Sequence, residues 1–184
     1  MYWYKDIKGD ASIWVTLFNS AFPYDDTIIQ EDGMLEIRIG DTSYVSGYCS
    51  RNINKNSYYK YVDKLESLMK RIYKKQSKIL IAGDYNAKSA VWDGDKTDKE
   101  DRTLMGALVK NGITTIKVNK KYSFVRGNSN SYLGIVSVNN NLARLYKRTK
   151  IPQIFNLNLT EIEVIINFRR KTTIRRGLLI NLTK

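Results

Sequence analysis

Apolar and polar positions recur along this chain in distinguishable patterns, and each pattern predicts an element. Over residues 57–75, Tyr58, Tyr61, Val62, Leu65, Leu68, Met69 and Ile72 return every three or four positions, while lysines and acids fill the other face. That is the period of an amphipathic helix with one buried stripe. Glu100–Lys110 repeats the pattern in shorter form, with Leu104, Ala107 and Leu108 on one stripe and Asn111-Gly112 as the stop. Residues 12–18 (SIWVTLF) read as a buried strand, and Lys78–Gly83 (KILIAG) is a continuous apolar run, as expected of a strand covered on both faces. Leu35–Ile39 and Ser43–Cys49 read as two strands joined through the turn Gly40-Asp41-Thr42.

Further along, Ile113–Val118, Tyr122–Arg126 and Tyr132–Val138 read as strands, and Asn139–Lys147 as a short helix capped by Asn139 or Asn140. Ile154–Leu159 and Glu163–Phe168 alternate like edge or half-buried strands, while the basic tail beyond Arg169 fits no single element. There is no internal repeat and no Pro/Gly/Ser linker. The division is therefore one domain over 1–168 and a basic tail of open structure over 169–184. Strands dominate and the two main helices fall between them, so the class is α/β or α+β with a mixed sheet.

Composition narrows this. With 184 residues, 42% of them hydrophobic and 27% charged, the chain is long enough to bury a core and ordinary in make-up. No apolar run approaches the ~18–20 residues needed to span a bilayer, so no membrane is expected. MYWYKDIKGD has neither a basic n-region nor an apolar h-region, so no signal peptide is expected either. The single cysteine, Cys49, excludes an internal disulfide framework and fits a reducing, intracellular compartment, without choosing between nucleus and cytoplasm. Its plainest reading is a small buried residue at a strand end.

The net charge is +13, unevenly spread: residues 141–184 carry ten Lys/Arg against two acids, and residues 1–140 carry 21 against 16. Excess positive charge favours polyanions, because each neutralised phosphate releases counterions. An AT-biased coding sequence accounts for the same richness in Lys, Asn, Ile and Tyr. The chain has no histidine, which excludes Ser-His-Asp and Cys-His nucleophilic systems, His-ligated zinc and every His base. Hydrolysis here would need carboxylates with a hard metal, or a lysine or tyrosine.

The sharpest local signal is KILIAGDYNAKS, residues 78–89. An apolar strand runs into Gly-Asp-Tyr-Asn, and Asp84 and Asn86, two apart, emerge on the same side at its carboxyl end. A carboxylate and an amide there suit a metal-bound water and a phosphate oxygen; an ordinary turn uses the same residues.

GDYNAKS resembles the G-D-[FLY]-N-A-K-S signature of the endonuclease/exonuclease/phosphatase superfamily, in the form typical of non-LTR retrotransposon endonucleases. Val45–Asn52 (VSGYCSRN) is similar to that family's strand ending in Tyr-x-x-(Pro)-Asn, and the helix at 57–75 lies where the family has one. Ala90–Gly94 resembles the "xxWG" step, and Asp98–Leu104 the "D-x-R-G-x-x-L" helix start. Tyr122–Arg126 resembles the "x-T-F" strand, Ser131–Gly134 the "S-x-I-D" motif, and Ile162–Phe168 the final strand. The order is kept over about residues 10–168.

The resemblance implies a DNase I-like four-layer α/β/β/α sandwich with mixed sheets, here with the front strands missing. It implies DNA as substrate and Mg²⁺ as cofactor. Asp84 would orient or deprotonate the attacking water, Asn86 would contact the phosphate or the metal, Tyr48 would face the phosphate, and Asn52 would position its loop. The family's first-strand asparagine and metal-binding glutamate would fall upstream of Met1. Glu31 imitates the latter but comes too late in the order and is rejected. Gly134 stands where "S-x-I-D" has its aspartate, and Thr160-Glu161-Ile162 stands for the terminal "S-D-H", so Glu161 is the remaining metal candidate and Ile162 replaces the histidine. Losing members of an interdependent catalytic set costs orders of magnitude in rate. The expectation is therefore an endonuclease-like domain with impaired or no catalysis. A different reading is a nucleic-acid-binding remnant using Arg144, Lys147, Arg148 and Lys150 with the basic tail, although a solvated charged face explains those residues too. A third is a product with no function.

Overall fold

The structure, a computed structural model, describes residues 2–16, 28–75, 77–87, 99–116, 124–126, 129–131, 134–144, 146–150, 159–166 and 176–183. A hairpin opens it, β1 (Tyr2–Lys5) with β2 (Ser12–Thr16). β3 (Ile28–Glu31), β4 (Met34–Ile39) and β5 (Thr42–Tyr48) then form an antiparallel meander. Helix α1 (Lys55–Lys74) crosses over to β6 (Lys78–Asp84), which runs parallel to β5. Helix α2 (Lys99–Lys110) leads into β7 (Ile113–Ile116). A small hairpin, β8 (Phe124–Arg126) with β9 (Ser129–Ser131), precedes β10 (Gly134–Asn139), which inserts antiparallel between β6 and β7. The one-turn helix α3 (Asn140–Ala143) is followed by β11 (Tyr146–Lys150), β12 (Leu159–Ile166) and β13 (Arg176–Thr183).

Two sheets result. One has the order β3-β4-β5-β6-β10-β7 and the other β1-β2-β13-β12-β11. They face each other where β13 packs on β5 and β6, and β2 on β4. The opposite face of the six-stranded sheet carries α1 and α2. Val45, Ile79, Ile81, Ile113 and Ile135 from the sheet there meet Tyr61, Leu65, Met69 and Ile72 of α1 and Leu104 and Leu108 of α2 in one buried cluster. The described residues thus supply three layers of the expected sandwich: five-stranded sheet, six-stranded sheet and helices. Among them, no helix is long and apolar enough to cross a membrane.

The helix forms where its period places it. All seven stripe residues read from the sequence are buried on α1, and Asn54 caps it by accepting the Ser57 N–H at 2.9 Å, a contact worth about 1 kcal/mol. Gly112, with φ +67, ends α2 in the left-handed conformation that glycine adopts freely. Gly40 (φ +60) opens the β4–β5 turn.

The region after residue 139 departs from the sequence reading. Asn139 does cap a helix, accepting the Leu142 N–H at 3.1 Å, but the helix stops after Ala143. The same Oδ1 also takes the Ile79 N–H and the Nδ2 donates to Ser77 O, so the cap is tied to the start of β6 and serves a corner. Lys147, expected at the end of that helix, lies with Arg148 on β11, with a register irregularity between Tyr146 and Arg148. The tail left open by the sequence contains β13, paired on both sides with β12 and β2. Ala90–Gly94, Ser123, Tyr132-Leu133, 151–158 and Arg169–Arg175 lie outside the described residues.

Candidate functional site

The carboxyl ends of the parallel pair β5 and β6 bring the motif residues together. In the register of that pair Tyr48 is the partner of Asp84, and Gly47 of Gly83. Strand alternation then turns Tyr48 and Asp84 toward the five-stranded sheet, because Val45, Ile79 and Ile81, an odd number of positions away, face the helices. The ladder continues one bond past the strands, with the Cys49 N–H donating to Asp84 O at 2.8 Å.

Asp84 and Asn86 do meet, though not by alternation, since β6 ends at Asp84. The chain then turns, with Asn86 in the left-handed region at φ +47, which Asn tolerates better than most residues. Asp84 Oδ1 accepts the Asn86 backbone N–H at 3.0 Å, an Asx turn. The Asn86 side-chain Nδ2 donates to Cys49 O at 2.7 Å, locking the exits of β5 and β6 to each other. Asp84 is buried, Asn86 half-buried.

Tyr85, between them, points the other way. Its ring lies across both glycines of the parallel pair. A Cβ on Gly47 would stand 2.4 Å from the Tyr85 hydroxyl, and a Cβ on Gly83 would stand 2.3 Å from Gly47 O and 2.7 Å from the ring. Only two glycines side by side leave room for it. The ring reaches Tyr61 of α1 at 6.1 Å between centroids, and its hydroxyl is buried without a hydrogen-bond partner among the described residues.

A second hub is Gly33, in the β3–β4 turn. Its N–H donates to Asp6 Oδ2 at 2.8 Å, and Asp6 Oδ1 accepts the Ala11 N–H at 2.9 Å. Gly33 O takes the Tyr48 N–H at 2.8 Å and the Tyr61 hydroxyl at 2.9 Å. Gly33 has φ +70, and a Cβ there would lie 2.3 Å from Tyr48 O. One buried carboxylate and one glycine therefore tie the β1–β2 loop, the end of β5 and α1 into a single unit. Sequence reasoning did not find Asp6, Gly33, Gly47 or Tyr85, because their contacts reach far along the chain or depend on a neighbouring strand; the one available signal was Asp32-Gly33 as a turn dipeptide.

Burial pushes the Tyr48 phenol up from its ordinary value, with Asp84 and Asp10 adding to the shift and a bond with the Ser50 side chain opposing it. Tyr48 therefore carries its proton at neutral pH and can donate to an anionic oxygen. The Cys49 thiol is pushed up to about 12 by burial and by Asp84, which makes it inert rather than nucleophilic.

The other candidates are carried by other elements. Asn52 is exposed in the turn before α1, its N–H bonded to Ser50 Oγ at 3.3 Å. Arg144 is exposed just after α3, whereas Lys147 and Arg148 sit on β11, an outer strand of the other sheet. Glu161 lies on β12, opposite Asn181 of β13. Gly134 is the register partner of Asp84 across β10 and β6. The position where the resemblance expects a carboxylate is thus immediately beside Asp84, and it carries a hydrogen.

Mg²⁺ takes about six oxygens, typically with one or two carboxylates and several waters. Among the described residues no three acidic, cysteine or histidine side chains converge, and one oxygen of Asp84 already serves the turn. The described residues of this face do not by themselves make up a magnesium donor set.

A mixed six-stranded sheet facing a second sheet, with a Tyr–Asp–Asn cluster at the carboxyl ends of its parallel strands, is the arrangement of a nuclease-type sandwich. The sequence profile of the Endonuclease-reverse transcriptase family matches residues 42–156, more than half of the chain, and this protein belongs to that family. Solved structures agree on the fold. The endonuclease domain of TRAS1, a telomere-specific non-LTR retrotransposon, superposes with a TM-score of 0.53 at 18% identity over 92% of this chain and 80% of that one. The 3'-5' exonuclease NExo from Neisseria meningitidis gives 0.55 at 13% identity over 92% and 71%. The Neisseria 3' phosphatase NExo bound to a product DNA hairpin gives 0.54 at 12% over 92% and 70%. No curated protein matches the chain in sequence.

Proposed function

We propose that this chain is a retrotransposon-type endonuclease domain that engages the phosphodiester backbone of DNA at the β5–β6 end but has lost most or all of its hydrolytic power. Tyr48 supplies the hydrogen-bond donor to a phosphate oxygen, and Asp84, fixed by its turn, a carboxylate of the reacting face. Asn86 acts as a positioning residue, because its amide nitrogen is committed to Cys49 O. Asn52 borders the same loop, and Arg144, Lys147 and Arg148 contribute charge from two separate places. Glu161 is the carboxylate the other sheet would bring. The family, and the DNA hairpin held by a fold neighbour, support nucleic acid as the partner.

The observation that carries the impairment is the register of Gly134 opposite Asp84. A second carboxylate there would raise the proton affinity of its neighbour and bring another oxygen ligand; a hydrogen does neither. Ile162 can neither donate nor accept where the resemblance expects histidine. Plasmid nicking by purified, folded protein with Mg²⁺, with EDTA and with Asp84→Ala tests the reading. No magnesium-dependent nicking above the Asp84→Ala background is expected. Robust nicking that EDTA and Asp84→Ala both abolish would overturn it.

A further inference from the structure

A cleft of about 390 Å³ opens beside Tyr48, between the β1–β2 loop, the β3–β4 turn and the first half of α1, within the size range of ligand pockets. Tyr48, Cys49 and Ser50 form one wall; Ser57, Lys60 and Lys64 stand on the other, at helical spacings that set them on one face of α1. The acids that line the cleft belong to the β1–β2 loop and the β3–β4 turn rather than to α1. Asp32 is paired with Lys8 at 2.9 Å, and Asp10 acts on Lys8 and Tyr48. Lys64 has Glu31 at 4.0 Å, whereas Lys60 has no acidic partner among the described residues. Helix α1 carries no acid in its first turn, so the partial positive charge of its N-terminus is uncompensated on the same side. The uncancelled positive potential therefore sits on the α1 wall, across the cleft from the end of β5.

We infer that this cleft is a second phosphate subsite, in which Lys60, Lys64 and the Ser57 hydroxyl hold the backbone of a nucleic-acid strand that passes Tyr48. The inference rests on the reading that the β5–β6 end meets nucleic acid, and it assigns the path of the strand: over the outer end of α1 rather than toward β11. The charge of the late basic segment then supplies only long-range attraction.

The test is anisotropy titration of a fluorescein-labelled oligonucleotide duplex across a salt series. It compares wild type with Lys60→Ala/Lys64→Ala and with Lys74→Ala/Lys75→Ala, which removes the same charge at the far end of α1; melting curves confirm that each is folded. The Lys60/Lys64 variant is expected to bind about tenfold more weakly, and its slope of log K against log salt to fall by about 1.8, the value for two lost phosphate contacts. The Lys74/Lys75 variant is expected to change less than half as much. Equal losses in the two variants, with wild type binding, would overturn the subsite and leave the proposed function standing. Wild type that fails to bind even at low salt would overturn both.

Discussion

The two sides of Asp84 differ. On the β5 side the motif residues all shape the backbone. Gly47 and Gly83 make room for Tyr85, Asp84 closes the turn, and Asn86 bolts that turn to Cys49 O. On the β10 side Gly134 contributes backbone pairing and no side chain. The difference teaches how GDYN and a glycine where the resemblance expects an aspartate can coexist in one chain. Losing a residue that holds the backbone damages the fold whether or not the site reacts, and losing one that only serves chemistry does not. A surviving signature at strand ends is therefore evidence for the fold before it is evidence for catalysis.

This comparison can be broken at several points. Of the two glycines under Tyr85, Gly83→Ala should be the more damaging, because its Cβ meets the backbone oxygen of Gly47 as well as the Tyr85 ring; a loss of about 3 kcal/mol in urea unfolding is expected. Asn86→Ala removes the bond to Cys49 and puts alanine at a positive φ, and together these should cost about 2 kcal/mol. Asn86→Gly, free of the backbone strain, should recover part of it. If both variants unfold like wild type, the lock between β5 and β6 contributes nothing.

Smaller effects sharpen it. The Cys49 thiol is held neutral by burial, with its ionisation moved from about 9 to about 12. A raised acid stabilises the fold below the unfolded value and loses that contribution as pH climbs from about 9 toward 12. Urea midpoints should therefore hold between pH 7 and 8.5 and fall above about 9, and Cys49→Ala should flatten the fall. Tyr85→Phe should move stability by less than about 1 kcal/mol and upward, because it removes a buried hydroxyl that has no partner among the described residues. A large loss would mean that the hydroxyl is bonded.

Much of the six-stranded half was legible in the sequence. The stripe of α1, the stop at Gly112, and the β4, β5 and β6 strands follow from period and turn chemistry that act within a few residues. The five-stranded half was legible only in part. β11 reads as the continuation of a helix because Asn139 is a true cap, yet that cap serves a corner against β6. β13 is a run of Leu178, Leu179, Ile180 and Leu182 inside a basic tail, and its place between β12 and β2 is a long-range fact that no local pattern carries. At the site, Tyr48, Asp84 and Asn86 were found through their motif. Asp6 and Gly33 were not, since a carboxylate bonding backbone 27 residues away leaves no mark on its neighbours.

The stability of Asp84→Ala tests the central claim most directly. Groups kept for catalysis usually strain the fold, and removing them stabilises it. A carboxylate kept for the turn should behave in the opposite way: loss of its bond to the Asn86 N–H in a buried place is expected to cost about 1–3 kcal/mol. An Asp84→Ala protein at least as stable as wild type would contradict the account and return Asp84 to the chemistry.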